Sequence, residues 1–124
     1  MTNVFSENDL EILIATKNRT NFDFLALMFP FTIFSNFNIL IINQSKENAL
    51  ISDFKSIRVI NVKEKGLSKS RNLAIKNASK KICLITDDDV VFSPNLQLEI
   101  ITAFNKNPKA SIITFNHQRQ GLNK

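Results

Sequence analysis

Lys81-Ile82-Cys83-Leu84-Ile85-Thr86-Asp87-Asp88-Asp89 is an apolar run that stops on three consecutive carboxylates. A short aliphatic run without polar alternation predicts a strand buried on both faces, the kind that parallel sheets use. Three adjacent carboxylates repel one another, and at the end of such a strand they gain little unless a cation or hydrogen-bond donors sit against them. Hard oxygen ligands of this type select Mg²⁺ or Mn²⁺, which keep several waters and complete their shell with phosphate oxygens. The ordinary alternative is a solvated acidic turn.

Upstream, three further runs share the pattern. Glu11 to Thr16 stops at Lys17-Asn18-Arg19-Thr20, Asn38 to Ile42 at Asn43-Gln44-Ser45, and Ile57 to Val62 at Lys63-Glu64-Lys65-Gly66. Helical spacing fills the intervals. Ser68 is expected to cap a helix from about Lys69 to Ser79, with Leu67, Ala74, Ile75 and Ala78 as its apolar face. Pro94 precedes a helix over Asn95 to Asn105 that presents Leu96, Ile100, Ile101 and Phe104 and stops at Asn107-Pro108. Phe22 to Phe29 fits a helix broken by Pro30, Glu47 to Phe54 fits a short one, and Ala110 to Phe115 reads as a fifth strand. Strands alternating with helices imply right-handed crossovers and a mainly parallel sheet covered on both faces, a three-layer α/β/α sandwich.

The 124 residues, 44% apolar and 22% charged, suffice for one core, so 1–124 reads as a single domain that folds without a disulfide or structural metal. Cys83, the single cysteine, excludes an internal disulfide and a zinc cluster, and its place in an apolar run predicts a buried thiol. The opening Met1-Thr2-Asn3-Val4 carries no leader pattern, and no stretch reaches the ~18 apolar residues of a membrane span, which predicts a cytoplasmic protein. The segment Phe22 to Phe37 is rich in Phe and Leu but interrupted by Asp23, Pro30, Ser35 and Asn36. It reads as a docking surface for a missing partner domain or a membrane face.

A net charge of +5 raises nucleic acid or an anionic small molecule as a partner. Between Lys55 and Lys81 stand Lys55, Arg58, Lys63, Lys65, Lys69, Arg71, Lys76, Lys80 and Lys81, against Glu64 alone. A basic segment leading into an acidic triplet suits a phosphate ligand with a divalent metal better than a duplex, whose backbone the triplet repels. Most of the 11 Phe fall in apolar runs and leave no stacking platform for bases, which argues against nucleic acid. A response-regulator receiver has similar length and alternation, but it needs acidic residues after the first strand, where Thr16-Lys17-Asn18-Arg19 stand.

In an open parallel sheet, ligands bind outside the carboxyl ends of the strands. Those ends bring Thr16 to Arg19, Asn43 to Ser45, Gly66 to Asn72 and Asp87 to Asp89 to one rim. Gly66 and Ser68 stand at a helix start, where free N–H groups and the macrodipole favour an anion, and Arg71, one turn inside, can add a forked contact. The GxGxxG and GxxxxGK[ST] spacings are absent, and an ordinary helix cap is the alternative.

Taken in order, Ala15-Thr16-Lys17-Asn18-Arg19, Ile39-Leu40-Ile41-Ile42-Asn43-Gln44-Ser45, Gly66-Leu67-Ser68-Lys69-Ser70-Arg71-Asn72-Leu73-Ala74-Ile75 and Ile82 to Pro94 form one series. That series resembles the nucleotide-sugar-binding half of glycosyltransferase family 2, of the GT-A fold, over roughly Glu11 to Phe115. The resemblance implies inverting hexosyl transfer from a nucleotide-diphosphate sugar, UDP-sugar favoured, to a glycan or lipid-linked acceptor. It implies that Thr16, Asn18 and Arg19 line the nucleoside pocket, and that Asn43 stands where many members have an aspartate reading the base. Gly66, Ser68 and Arg71 then lie near the nucleotide, and Asp87 and Asp88 at the ribose side. Asp89 matches the second aspartate of DxD and, with Asp87, binds Mn²⁺ or Mg²⁺, a Lewis acid for the leaving diphosphate.

Family members continue into an acceptor-binding half that carries the catalytic base, whereas this sequence ends at Lys124 with His117 as the one residue after the aspartates that titrates near neutrality. The expectation is a donor-binding half that transfers sugar poorly by itself, with its catalytic base unassigned. A noncatalytic nucleotide-sugar-binding module is the other reading.

Overall fold

Each of the four apolar runs becomes a strand, and the strands pair side by side in one direction. The computed structural model describes residues 4–47, 49–63, 65–107, 109 and 118–119. Its elements are β1 (Leu10–Lys17), α1 (Asp23–Met28), β2 (Ile39–Gln44), β3 (Ile57–Val62), α2 (Leu67–Asn77), β4 (Ile82–Asp87), β5 (Val90–Val91), α3 (Leu96–Lys106) and β6 (Gln118–Arg119). The main sheet runs β3-β2-β1-β4, all parallel, and β5 and β6 form a small antiparallel pair. β1 and β2 are central, which is why their sequences are almost unbroken in apolar character up to the polar rim.

Strand alternation divides the core between two helical layers. Leu10, Ile12 and Ile14 of β1 and Ile39 and Ile41 of β2 face α1 and α3, packing with Phe24, Leu25, Met28, Leu96, Ile100 and Ile101. Leu13, Leu40 and Ile42 point the other way, against Ala74 and Leu73 of α2. Helices thus cover both faces of a parallel sheet, as the alternation of runs predicts. The same register aligns the strand ends: Thr16 lies opposite Asn43, Asn43 opposite Asn61, and Ala15 opposite Asp87.

Four local expectations are corrected. Helix α2 begins at Leu67, with Gly66 at the N-cap in a conformation (φ 121°) that side-chain-bearing residues rarely adopt. Ser68 is therefore an exposed residue of the first turn with no capping bond, and of the expected apolar face Ala74 is buried while Leu67 and Ile75 are 48% and 52% exposed. Residues 49–54 form no helix. There the side chain of Asn61 takes both the N–H and the C=O of Leu50, and the Ser52 hydroxyl accepts from the Phe54 N–H, local bonds that compete with helix formation.

Cys83 is exposed, not buried. It and Ile85, 45% exposed, lie on the α2 side of β4, but α2 packs over β1 and β2 and leaves this outer strand of the described sheet open. The segment Phe22 to Phe37 divides instead of forming one docking surface: Phe24, Leu25, Met28, Phe29 and Phe37 enter the core, while Leu27, Phe31 and Ile33 remain exposed. Among the described residues no helix is long and apolar enough to cross a membrane. The expected strand over Ala110 to Phe115, and His117, lie outside the described residues.

Candidate functional site

Asp87 ends β4, and Asp88 and Asp89 form the turn that leads into β5. Successive carboxylates reach to opposite sides of the sheet. On the α2 side, Asp87 Oδ1 accepts from Arg71 Nη2 at 2.9 Å. Across the sheet, Asp88 Oδ2 accepts from the Thr16 hydroxyl at 2.7 Å and from Arg19 Nη2 at 2.9 Å. Arg19 Nε donates to Thr16 Oγ1 at 2.8 Å, closing a three-residue ring of hydrogen bonds, and its guanidinium lies 4.5 Å from the centroid of the Phe24 ring. Two guanidiniums thus offset the mutual repulsion that the acidic triplet carries. Both ion pairs are open to solvent, with side-chain exposures of 36% and 32% for Arg19 and Asp88 and 42% and 26% for Arg71 and Asp87. Each pair by itself contributes about 1 kcal/mol at most.

Beyond β1 the chain turns through Asn18, whose φ of 53° is left-handed, a region asparagine tolerates better than most residues. The Asn18 N–H donates to the Gln44 carbonyl at 2.8 Å, extending the β1–β2 pairing by one residue. Gln44 Nε2 donates to the Gly66 carbonyl at 2.7 Å and to the Ser70 hydroxyl, so the end of β2 is tied to the start of α2. Asn43 is fully buried, and its amide bonds to the backbone of Arg19 and to the side chain of Asn61. Outside these residues opens a cavity of about 440 Å³ lined by Lys17, Asn18, Gln44, Ser45, Lys46, Glu47, Lys63 and Lys65. Among its described lining residues four are lysines and Glu47 is the one acid.

The expected rim residues fall into two connected groups. Thr16, Arg19 and Asp88 form one, and Arg71 and Asp87 the other, with Asn18 in the cavity wall and Gly66 joined to the rim through Gln44. Asn43 sits behind this surface, and Ser68 makes no side-chain hydrogen bond within the described residues. Gln44 and Asn61 carry more of the rim's hydrogen bonding than their sequence context suggests. Their one visible signal is a polar residue close to the end of an apolar run.

An open sheet of order β3-β2-β1-β4 between two helical layers, with its polar chemistry at the carboxyl ends of the strands, defines a Rossmann-like α/β protein of the GT-A type. Residues 11–123 match Glycosyl transferase family 2, and the chain belongs to that family. Its function is accordingly glycosyltransferase-like. No curated protein and no solved structure matches the chain.

Proposed function

We propose that the rim binds a nucleotide-diphosphate sugar, with a UDP-linked hexose favoured, and presents it for inverting transfer to a glycan or lipid-linked acceptor. The observation that carries this reading is the interleaving of Arg19 and Arg71 with Asp87 and Asp88 across the ends of β1 and β4. Guanidiniums held at a rim by carboxylates can turn to phosphate oxygens and make forked, charge-assisted contacts. Arg71 Nε is buried without a hydrogen-bond partner in the described structure, an orphan donor that an anionic oxygen suits. The cationic cavity beside β1–β3 raises the local concentration of an anionic nucleotide.

Within this reading Thr16, Asn18 and Arg19 bound the nucleoside side, Gly66, Ser68 and Arg71 the phosphate side, and Asp87 and Asp88 accept from ribose hydroxyls. Among the described residues no group of three or more His, Cys, Asp or Glu is arranged to hold a metal ion. The donor set of Asp87 and Asp89 nevertheless suits Mg²⁺ or Mn²⁺, which bind proteins through one or two carboxylates and fill their remaining positions with water and substrate phosphate. When bound, the ion would neutralise charge on the leaving diphosphate. The work of the chain itself is to orient the donor and hold its diphosphate against Arg71. Acceptor activation is assigned to none of the described residues. The exposed Leu27, Phe31 and Ile33 fit a membrane-peripheral contact.

Calorimetric titration of the full chain with UDP, UMP and uridine in the presence of Mn²⁺ tests the reading. Affinity rising steeply from uridine to UDP supports it. Equal affinity across the three, or no binding, rejects a diphosphate site at the rim.

A further inference from the structure

Asn43 occupies the position at which the family resemblance places a base-reading residue, yet its side chain points into the protein. It is 0% exposed. Its Oδ1 accepts from the Arg19 N–H at 3.0 Å and its Nδ2 donates to the Arg19 C=O at 2.9 Å, so the amide engages Arg19 as a neighbouring strand would. Asn61, its register partner on β3, treats Leu50 in the same way: Oδ1 accepts from the Leu50 N–H at 2.9 Å and Nδ2 donates to the Leu50 C=O at 3.0 Å. The two amides are joined, because Asn43 Nδ2 also donates to Asn61 Oδ1 at 3.0 Å. One continuous set of hydrogen bonds therefore runs from the loop after β1, through the ends of β2 and β3, to the loop before β3.

We infer that Asn43 is a positioning residue: it fixes the backbone of Arg19 so that the guanidinium meets Asp88 and Thr16, and it does not contact the nucleobase. The inference rests on the donor-site reading for its functional consequence and on geometry alone for its structural one. All of the amide's hydrogen-bonding directions seen here lead into the protein, and a fully buried atom presents nothing to a ligand. The choice of asparagine follows from the same contacts. Nδ2 gives both of its protons to oxygens, those of Arg19 and Asn61, so an aspartate in its place would set a carboxylate oxygen against two acceptors with no proton to offer either. A base-reading role makes the opposite demand, since a carboxylate accepts from a base N–H at least as well as an amide does.

The test uses the full chain with Asn43→Ala, Asn43→Asp and Asn61→Ala, titrated with UDP, CDP and GDP in Mn²⁺. Hydrogen exchange at the Arg19 amide is followed in parallel. Asn43→Ala is expected to weaken every nucleotide that binds by the same factor, on the order of tenfold, the scale of one or two lost hydrogen bonds. Asn43→Asp, which keeps an acceptor for the Arg19 N–H but loses both Nδ2 donations, is expected to weaken binding at least as much, and the Arg19 amide to lose its protection in Asn43→Ala, which removes its acceptor. Asn61→Ala, on the exposed side of the outer strand β3, removes one contact of Asn43 and is expected to give a smaller loss, again the same for all three nucleotides. The inference is overturned if Asn43→Asp binds as the unaltered chain does, if the losses fall on one base and spare the others, or if Arg19 exchange is unchanged in Asn43→Ala. Should the unaltered chain bind no nucleotide, the donor reading fails while the Arg19 exchange rates still decide the positioning role.

Discussion

Thr16→Val isolates the hydrogen-bond ring that joins β1 to the aspartate turn. Valine matches threonine in size and in preference for strands, so the change removes one hydroxyl and leaves backbone and volume nearly as they were. That hydroxyl makes two bonds, donating to Asp88 at 2.7 Å and accepting from Arg19 Nε at 2.8 Å, and Thr16 itself is only 4% exposed. Hydrogen bonds to charged groups contribute about 1.5–3 kcal/mol each when shielded from water. Here the charged partners are about one-third exposed, at 36% and 32%, and water can take up their freed directions. The two bonds together are therefore expected to contribute about 1–2 kcal/mol to stability. With a urea dependence of about 2 kcal/mol per molar, the unfolding midpoint should fall by roughly 0.5–1 M while the slope stays the same. Equilibrium urea unfolding followed by circular dichroism measures this directly. An unchanged midpoint would mean that Thr16 is a packing residue and that Asp88 is not anchored through it.

Arg71→Ala should weaken UDP binding by about 1.5–3 kcal/mol, roughly ten- to a hundredfold, because the loss is of a charge-assisted contact; calorimetry showing a loss below twofold would return Arg71 to a solvent-facing helix residue. Cys83 should react slowly with alkylating reagents near neutrality in spite of its exposure. Partial desolvation, and then the carboxylate of Glu11 opposite it in register, hold its pKa above the ordinary thiol value. The pH profile of alkylation should be displaced to the alkaline side of a free thiol measured alongside, and an undisplaced profile would contradict that environment. Because the folded-state pKa is raised, the corresponding stability is complete below the unfolded thiol's pKa of about 8.5 and is lost as pH rises through the folded value.

The strands were the most legible part of the chain, for a physical reason. A strand buried on both faces has no polar side to show, so Leu10–Lys17 and Ile39–Gln44 read as apolar runs whose polar ends mark the rim. Parallel topology then predicts that Thr16 and the aspartates share one edge, and the Thr16–Asp88 bond joins residues 72 apart in sequence. What stayed hidden depends on which strands are neighbours. The run around Cys83 looks like a core strand because composition does not reveal that α2 stops short of β4. The stretch 49–54 looks helical because nothing local announces that Asn61 captures the Leu50 backbone. The inward turn of Asn43 likewise needs the β2–β3 register that places Asn61 beside it. Gly66 and Ser68 both suit a helix start, and the positive φ at Gly66 decides between them.

Whether a divalent cation at Asp87 and Asp89 completes the proposed diphosphate site is decided by one calorimetric comparison: UDP titrated into the unaltered chain and into Asp89→Ala, each with Mn²⁺ and with chelator. Mn²⁺ is expected to strengthen binding to the unaltered chain and to leave the affinity of Asp89→Ala where chelator leaves it. Equal UDP affinity in Mn²⁺ and in chelator for the unaltered chain would contradict it.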